Sequence, residues 1–310
     1  MIQASPYDVV VLGDYFYDLI FSGLQAFPVL GQEKLSHELV TTGGGSYITV
    51  CALHRLGVRV GWRAHFGNDE YSRQIYQLAA GAGIDLQLAR VADTPYRRVT
   101  TALPMQGERA FVTYADPPPP DRHEFWRIAL ETTRYRHLHL PGAIAPDRLA
   151  PLVSAARAAG ASISMDCQDV ALLYKECEWQ KLVGMVDVFM PNAREARLIA
   201  KTDDLDAAMR LLLDWGQVIV IKDGGSGALV GKGSGAYTRV PSITAGDCVD
   251  TTGAGDCFNA GFLYGYVCEG ASVEQCTRYG NICGGLSVTG EGGATHAPDL
   301  ASLRAWVEKL

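Results

Sequence analysis

Short apolar runs and helical patterns alternate along most of the chain. The apolar runs suit strands that are covered on both faces: VVVLG (9–13), SISMD (162–166), VDVFMPN (186–192) and VIVIKDG (218–224). Segments whose apolar residues recur every three or four positions accompany them: PDRLAPLVSAARAAG (146–160), AREARLIA (193–200) and LDAAMRLLLDWG (205–216). A strand followed by a helix, repeated in this way, predicts an α/β fold with a parallel sheet and right-handed crossovers.

Length and charge narrow the class of protein. A chain of 310 residues, with 48% hydrophobic and 20% charged residues, is sufficient for one large α/β domain or for a core with a small appendage. The formal net charge of −7 argues against nucleic acid or an anionic membrane as a partner, because phosphate groups are met by basic surfaces. A local site can still bind an anionic small molecule.

Cysteine spacing and the N-terminal sequence both bear on the compartment. The eight cysteines include no C-x-x-C pair, and the four at 248, 257, 268 and 276 are spaced 9, 11 and 8 apart, which is not zinc spacing. Reduced cysteines in apolar helical contexts fit a cytosolic protein. MIQASPYDVVVLGD has no signal-peptide pattern, and no apolar run approaches the ~18 residues that span a bilayer. We therefore expect a cytoplasmic protein with no membrane partner.

Polar residues follow the predicted strands where each one ends. They are Asp14 and Asp18, Asp166 and Gln168, Asn192 and Glu195, and Asp223 and Gly224. Because the carboxyl ends of parallel strands meet at one edge of a sheet, where α/β proteins bind ligands, we expect these residues to line a single crevice.

Two segments have a different pattern from the core strands. Residues 33–42 and 96–115 alternate polar and apolar residues, and QGER at 106–109 is a plausible hairpin turn. They predict a small antiparallel sheet that projects from the core and acts as a lid. DPPPPD at 116–121 excludes helix and interior strand and is expected to be a rigid connector.

The stretch DTTGAGDCFNAG at 250–261 is the strongest candidate for chemistry. The small residues Gly253, Ala254 and Gly255 let backbone N–H groups approach a ligand, and the helix that follows adds its positive N-terminal end. Asp256 then has two compatible interpretations: it caps the helix, or it is a general base that takes a proton from an attacking hydroxyl.

Other loops are less specific. TTGGGSYITVCALHRLG at 41–57 is either a strand-to-helix turn or a close approach to a polar substrate. GALVGKGS at 227–234 lacks the spacing of a P-loop, and no G-x-G-x-x-G follows the first strand. His137 and His139 share a strand face, but without a third ligand at usable spacing they do not favour a metal site.

Eight motifs together resemble the ribokinase, or pfkB, family of carbohydrate kinases. DTTGAGDCFNAGF (250–262) and residues 41–72 are similar to its C-terminal and N-terminal signatures. Six further motifs occur in family order: GDYFYDL (13–19), HLPG (139–142), MDCQ (165–168), PNAREA (191–196), KDGGSGAL (222–229) and GNICGGLSVTGEGGATHAP (280–298).

The resemblance implies a fold and a reaction. The fold would be a three-layer α/β/α sandwich with a mostly parallel sheet, one domain over residues 1–310, and a small β lid formed by about 15–42 and 95–116. The reaction would be ATP-dependent transfer of the γ-phosphoryl group to a hydroxyl of a sugar-like molecule, and the expected hydroxyl is a primary alcohol. Asp256 would be the base, and the amides of Gly253, Ala254 and Gly255 the anion hole.

The same resemblance implies ligands for the remaining motif residues. Asn192 and Glu195 match the N-x-x-E motif that organises Mg²⁺ through water, while Lys222, Gly224, Gly227 and Asn281 match ATP-binding positions. Asp250 and Thr252 match positions that bind a monovalent cation such as K⁺ in several members. Asp18, Gly43 and Gly44 match sugar contacts. Exposed lid edges predict a homodimer through the lid.

Two departures from the family pattern concern the acceptor. Ile48 and Phe16 stand where sugar kinases have asparagine, and an unpaired sugar hydroxyl there would cost ~1 to 3 kcal/mol. Tyr15, Phe16, Tyr17 and Tyr47 either pack the core and lid or stack on a base. A nucleoside or cyclitol kinase is therefore the first alternative. A non-catalytic binding protein on the same fold is the second, and the intact GAGD and N-x-x-E motifs argue against it.

Overall fold

The predicted apolar runs form the central sheet. The computed structural model describes residues 6–105, 108–168, 178–233 and 235–309. The strands of this sheet are β1 (Tyr7–Leu12), β4 (Val60–Arg63), β9 (Tyr135–Leu140), β10 (Ser162–Asp166), β11 (Val188–Met190), β12 (Val218–Lys222), β13 (Ala228–Lys232) and β14 (Tyr237–Val240). Their order is β14-β13-β12-β11-β10-β9-β1-β4, and all neighbours from β12 to β4 are parallel. The two edge pairings to β13 and β14 are antiparallel.

Helices cover both faces of this sheet. They are α1 (Ser46–Arg55), α2 (Glu70–Gly81), α3 (Arg122–Thr132), α4 (Pro146–Ala158), α5 (Trp179–Gly184), α6 (Ala193–Ala200), α7 (Leu205–Trp215), α8 (Ala254–Leu263), α9 (Val273–Ser287) and α10 (Leu300–Val307). Because side chains alternate along a strand, Val9 and Val11 pack in the cluster with α1, α8 and α9, whereas Val10 and Leu12 pack with α3 to α7. The predicted three-layer α/β/α sandwich is confirmed.

A second, smaller sheet stands beside the core. Its strands are β2 (Tyr15–Ser22), β3 (Glu38–Gly45), β7 (Arg98–Met105) and β8 (Glu108–Ala115), in the order β3-β2-β7-β8. The predicted antiparallel pattern is correct for β2 with β3 and for β7 with β8, but wrong for β2 with β7, which are parallel. A core strand and two helices separate β2 from β7, so no hairpin forces them to be antiparallel.

The predicted boundaries of this sheet shift slightly. The segment expected to begin at residue 33 becomes a strand only at Glu38. Residues 106 and 107 of the predicted hairpin turn lie outside the described residues, although Met105 pairs with Glu108 on either side of them. The proline run has no helix or strand before α3 begins at Arg122, as a connector requires. A two-stranded sheet of β5 (His65–Phe66) and β6 (Arg90–Val91) completes the strands described.

None of the helices in the described part of the chain has the length and apolar character needed to span a bilayer.

Candidate active site

The carboxyl edge of the central sheet opens into a cavity of about 580 Å³, called here the larger cavity. Its walls include residues from the ends of β10, β11 and β12 and from the start of α8. The predicted site residues among them are Asn192, Glu195, Lys222, Gly224, Gly227, Ala254, Gly255, Asp256 and Asn281. Strand ends that are far apart in sequence therefore meet in one crevice.

The GAGD loop turns sharply into α8 at Gly253. Gly253 is the N-cap, with φ of 70°, and α8 begins at Ala254. A Cβ atom at Gly253 would lie 2.8 Å from Cγ2 of Ile48 and 3.0 Å from Cα of Gly293. Both the left-handed backbone and the close packing therefore require glycine here. Asp256 lies in the first turn and is not the N-cap, so the capping interpretation is wrong.

Asp256 is instead bound by a side chain from the N-terminal half of the chain. The hydroxyl of Thr49, on α1, donates to Oδ1 of Asp256 at 2.6 Å. Burial raises the pKa of Asp256 to about 6, and the nearby charge of Asp166 raises it too, while the Thr49 hydrogen bond and Lys222 oppose the rise. Asp256 is therefore ionised at neutral pH and is basic enough to accept a proton in a reaction.

Lys222 brings a positive charge beside the same loop. Its Nζ lies 2.7 Å from Oδ2 of Asp166 and 3.2 Å from Oδ1 of Asn259. The amide of Asn259 in turn donates to Oδ2 of Asp166 at 2.5 Å. A Cβ atom at Gly255 would lie 3.5 Å from this Nζ, so the ammonium group lies beside the anion loop. An anion bound there would meet both backbone N–H groups and a fixed cation.

The N-x-x-E pair is first of all a helix cap. Asn192 accepts from the backbone N–H of Glu195 at 2.9 Å, and Glu195 accepts from the backbone N–H of Asn192 at 2.8 Å. This capping box begins α6 at the wall of the larger cavity. Glu195 is only 3% exposed, so its carboxylate is held in place at the cavity wall.

The far end of the larger cavity is shaped by glycines and an asparagine. Gly227 has φ of 85°, and a Cβ atom there would lie 2.1 Å from the carbonyl oxygen of Val240. Gly224 also has positive φ but has open space around it. The amide of Asn281 donates to the carbonyl oxygens of Val240 and Pro241, each at 3.0 Å, and so fixes the loop that forms this end of the cavity.

Asp250 and Thr252, the predicted cation pair, organise the loop before α8. Oδ1 of Asp250 accepts from the backbone N–H and the hydroxyl of Thr252 at 2.9 and 2.6 Å. Oδ2 accepts from the backbone N–H of Gly292 at 2.9 Å. The carboxylate thus links the anion loop to the segment that packs against Gly253.

On the acceptor side, Asp18 lies against the glycines of β3. A Cβ atom at Gly44 would lie 2.1 Å from Oδ2 of Asp18, and one at Gly43 would collide with the ring of Tyr47. Burial raises the pKa of Asp18 to about 7, helped by the negative charges of Asp256 and Asp250. Asp18 and Asp256 therefore lie within electrostatic reach of each other.

The two departures from the family pattern occupy different environments. Phe16 lines a second cavity of about 310 Å³, called here the smaller cavity, and the guanidinium carbon of Arg98 lies 4.4 Å from its ring centroid. Ile48 is buried and packs under Gly253, outside the walls of both cavities. Ile48 thus supports the anion loop, which the sequence did not indicate.

The other aromatic residues of the predicted cluster are packing residues. Tyr15, Tyr17 and Tyr47 are all buried, and the ring of Tyr15 stacks on that of Phe66 at 4.9 Å. Phe16 lines the smaller cavity, whereas Tyr15, Tyr17 and Tyr47 line neither of the two cavities described here.

The two histidines of β9 are core residues. His137 makes hydrogen bonds with Ser162 and Ser164, and His139 makes one with Ser164. Burial lowers the pKa of both imidazoles to about 3, so both are neutral. In the part of the chain that is described, no group of three or more His, Cys, Asp or Glu side chains could hold a metal ion.

Several functional candidates were missed in the sequence. Thr49 lies inside a motif that was noted for its glycines, and Asp166 was noted as a strand end without a role. Asn259 follows Asp256 by three positions, which places it one turn further along the same helix. The arginines of the smaller cavity, Arg98, Arg122 and Arg148, come from segments that carry no shared motif.

Comparison with known proteins agrees with this geometry. The model of the pfkB family carbohydrate kinases matches residues 7–300. The chain is 30% identical over 234 residues to an uncharacterized sugar kinase of Archaeoglobus fulgidus, covering 74% of this chain and 91% of that protein. It is 29% identical to an ATP-dependent ribose-1-phosphate kinase of Halopiger xanaduensis, covering 90% of each. It is 26% identical to a nucleoside kinase of Methanothermobacter thermautotrophicus, covering 94% and 93%.

A solved structure shares the fold. The ribokinase of Arabidopsis thaliana complexed with ribose and ATP superposes with a TM-score of 0.80 at 20% identity, covering 97% of this chain and 99% of that one. The family match spans nearly all of the described residues and includes both glycine loops. The chain therefore belongs to the pfkB family of carbohydrate kinases.

Proposed function

We propose that this kinase transfers the γ-phosphoryl group of ATP to a hydroxyl of a sugar or sugar-like molecule, with Asp256 as the general base. The observation that carries the proposal is the position of Asp256. It is ionised near neutral pH, fixed by Thr49, and adjacent to an anion loop that faces Lys222. These are the groups that phosphoryl transfer requires, because the reaction depends on positioning and on stabilisation of negative charge.

The reaction assigns a role to each end of the crevice. ATP would occupy the larger cavity, with its adenine near Asn281 and its phosphates along Gly224, Gly227 and Lys222. The acceptor hydroxyl would approach Asp256, which takes its proton as the new O–P bond forms and the bond from the γ-phosphorus to the bridging oxygen breaks. ADP leaves, and Asp256 then releases the proton. The amides of Gly253, Ala254 and Gly255 and the ammonium group of Lys222 would stabilise the transferring group.

Magnesium is proposed at the wall formed by α6. Mg²⁺ prefers oxygen ligands and keeps several waters, and the buried carboxylate of Glu195 at the wall of the larger cavity would accept hydrogen bonds from such waters. When bound with ATP, the ion would neutralise phosphate charge. Asn192 and Glu195 would orient its waters, and their mutual capping box keeps both side chains in one conformation.

A monovalent cation is proposed beside Asp250 and Thr252. The support is electrostatic, because the carboxylate of Asp250 contributes to the raised pKa of Asp18 and a nearby cation would offset that negative charge. Activity measured in equal concentrations of K⁺ and of a large organic cation tests this: stimulation by K⁺ supports the site, and equal rates contradict it.

The second sheet is proposed as a lid of a single-domain kinase, formed by about residues 15–42 and 95–116. Asp18 and Phe16 project from β2 toward the crevice, while Leu39 and Val112 of the same sheet are 53% and 68% exposed. Exposed apolar residues on a sheet with free edges favour a homodimer through the lid. We also propose a cytoplasmic location. Light scattering of the purified protein tests the dimer.

The nucleoside alternative depends on whether a base can stack on Phe16. The guanidinium group of Arg98 already lies over this ring at 4.4 Å, so one face is covered. This contact favours a sugar-like acceptor over a base in the same position. Gly43 and Gly44, which let Asp18 and Tyr47 pack closely, would form the adjoining wall.

A coupled ADP-release assay tests the proposed function. Sugars, sugar phosphates, polyols and nucleosides would be screened with Mg-ATP, with the Asp256→Asn variant as a control for contaminating kinases. We expect acceptor-dependent ADP release with a sugar-like compound, and none with the variant. Fastest turnover of a nucleoside would assign the alternative, and no turnover with any class of acceptor would refute the proposed function.

A further inference from the structure

The smaller cavity lies between the second sheet and the first turns of α3 and α4. Its volume is about 310 Å³, and its walls include Asp14, Phe16, Arg98, Arg122 and Arg148. Gln168 lines both this cavity and the larger one, so the two meet at that residue. The smaller cavity is therefore adjacent to the larger one at Gln168.

Charge in this cavity is opposite to that of the whole protein. Three arginines face one carboxylate, that of Asp14, in a chain whose formal net charge is −7. The remaining titratable residue in the wall, His123, has a lowered pKa because of burial and the nearby Arg122 and Arg148. It therefore adds no positive charge near neutral pH. The excess of two positive charges suits an anionic ligand.

Arg122 is held in place by two contacts, but one of its hydrogen-bond donors has no acceptor among the described residues. Its Nη2 lies 3.1 Å from Oδ2 of Asp14, and its guanidinium carbon lies 4.2 Å from the ring centroid of Trp126. Its Nε is buried and has no hydrogen-bond partner among the described residues. A buried donor without an acceptor is costly, so the contacts with Asp14 and Trp126 must hold this guanidinium group in place.

The carboxylate of Asp14 is already bound by Arg122 and Tyr96. Its Oδ2 accepts from the hydroxyl of Tyr96 at 2.8 Å, and its Oδ1 accepts weakly from the backbone N–H of His65 at 3.4 Å. The one carboxylate in the wall thus serves as a fixed support for the arginine, and its charge is already matched.

Arg98 is fixed by the second sheet. Its Nε donates to the carbonyl oxygen of Tyr15 at 3.1 Å, and its Nη1 donates to the hydroxyl of Tyr96 at 3.2 Å. These two hydrogen bonds hold the guanidinium carbon 4.4 Å from the ring centroid of Phe16. Arg148, on the first turn of α4, has one ion pair within the described part of the chain, with the exposed Asp147 at 3.5 Å, and this is a weak competitor for a ligand.

The charged cluster and Asp256 lie beside two positions of the same strand, Phe16 and Asp18 of β2. Phe16 and Asp18 project from the same face of β2, and positions two apart on a strand are separated by roughly 7 Å. Asp18 lies near Asp256, whereas Phe16 lies under Arg98. A molecule with its reacting hydroxyl at Asp256 would place its opposite end among the arginines.

We propose that the acceptor is a sugar monophosphate, whose phosphate is bound by Arg98, Arg122 and Arg148 while a free hydroxyl is phosphorylated at Asp256. The product would be a sugar bisphosphate. This inference rests on the proposed function. A phosphomonoester carries nearly two negative charges at neutral pH, which matches the excess of two positive charges, whereas a sugar carboxylate carries one.

Matched pairs of acceptors test the proposal. Ribose and its 1- and 5-phosphates, fructose and fructose 6-phosphate, and the sugar acids gluconate and 2-dehydro-3-deoxygluconate would be compared by ADP release. We expect kcat/KM for the best phosphate to exceed that of its parent sugar by at least about a hundredfold, the value of one or two charge-assisted contacts. Arg148→Gln should raise KM for the phosphate by about tenfold and leave KM for ATP unchanged.

Two further variants separate a binding role from a structural one. Arg122→Gln should lower kcat/KM for the phosphate more than for the parent sugar, although it also leaves Asp14 without its partner. Arg148→Gln breaks no buried ion pair, so it remains informative if Arg122→Gln does not fold. Arg127→Gln, on the outer side of α3 with Glu124 and Glu131 as partners, is the matched control and should change neither constant.

Failure of the sugar-phosphate proposal and failure of the proposed kinase function would give different results. Preference for a neutral sugar or a nucleoside overturns the phosphate proposal while the kinase function stands, and preference for a sugar acid assigns the cavity to a carboxylate instead. If no acceptor releases ADP, the proposed function fails. Calorimetry with the same sugar phosphates then decides the cavity separately: saturable binding weakened by Arg148→Gln supports it, and no binding overturns it.

Discussion

The region around Asp256 and the smaller cavity are formed by different kinds of chemical groups. Around Asp256, backbone amides of a tight turn combine with buried side chains that bind one another, Thr49 with Asp256 and Lys222 with Asp166. Around the smaller cavity, long side chains arrive from three separate segments, and Arg148 is mostly exposed to solvent. The first region tolerates little change, whereas the second can be altered at single positions.

We expect the region around Asp256 to determine the rate of phosphoryl transfer and the smaller cavity to determine which acceptor is used. Interactions at the transferring group act mainly in the transition state and should appear in kcat. Interactions at the far end of the acceptor hold it before and during the reaction, and should appear in KM and in discrimination between acceptors. Substitutions near Asp256 should therefore change kcat, whereas substitutions in the smaller cavity should change KM for the acceptor.

Among the residues around Asp256, the largest effect is expected for Lys222→Met. It removes the cation that faces the anion loop, so kcat should fall roughly a hundredfold to a thousandfold, as for loss of one preorganised donor. It also leaves the buried Asp166 unpaired, which should lower the free energy of unfolding by about 3 to 5 kcal/mol. Steady-state kinetics and urea unfolding measure the two effects.

The double variant Lys222→Met with Asp166→Asn separates them. Removing both charges should restore much of the stability, because no uncompensated buried charge remains, but kcat should stay low. If activity returned along with stability, Lys222 would be a structural residue and its place at the anion loop would be incidental.

A smaller effect is expected for Gly253→Ala. The added Cβ would collide with Ile48 and with Gly293, so the amides of the loop must shift, and kcat should fall on the order of tenfold to a hundredfold. Gly160→Ala is the matched control, because Gly160 also has positive φ, 73°, but has nothing within 4 Å. Both variants should lose about 1 to 2 kcal/mol of stability from the left-handed backbone. Gly253→Ala should lose more than Gly160→Ala because of the collisions, and it alone should lose turnover. Equal kinetics for the two would contradict the anion-loop assignment.

The smallest effect is expected for Thr49→Val, and it is a shift in the pH dependence of kcat/KM. Asp256 must be ionised to act as a base, so kcat/KM should decline as the pH falls through about 6, its raised pKa. The Thr49 hydroxyl opposes that rise, so its removal should raise the pKa further and move the acid limb upward by roughly one unit. Thr49→Ser keeps a hydroxyl and should retain the original profile. Identical profiles for all three proteins would exclude this contact as a determinant of the pKa.

The sequence predicts the central sheet well because the information is local. Buried parallel strands need continuous apolar runs, and VVVLG and VIVIKDG show them directly. The pairing of β2 with β7 was assigned the wrong direction, since the direction of a non-hairpin pair depends on the path of the chain between them. Periodicity within a strand carries no information about that path.

The candidate site shows the same difference between information in the local sequence and contacts that depend on the tertiary fold. The GAGD loop could be identified from residues 253 to 256 alone, because four neighbours in sequence are also neighbours in space. The contacts of Asp256 with Thr49, 207 positions away, and of Lys222 with Asp166 arise only when α1, α8 and two strands pack together. The arginines of the smaller cavity are likewise brought together by the tertiary fold. Their separate contexts give no motif.

The most direct test of the central claim is turnover and ATP binding in Asp256→Asn. With the best acceptor at saturation, kcat should fall roughly a hundredfold to ten-thousandfold, the contribution of a general base, while the Kd for Mg-ATP measured by calorimetry stays within about twofold of the wild type. Near-normal turnover with unchanged ATP binding would contradict the assignment of Asp256 as the base.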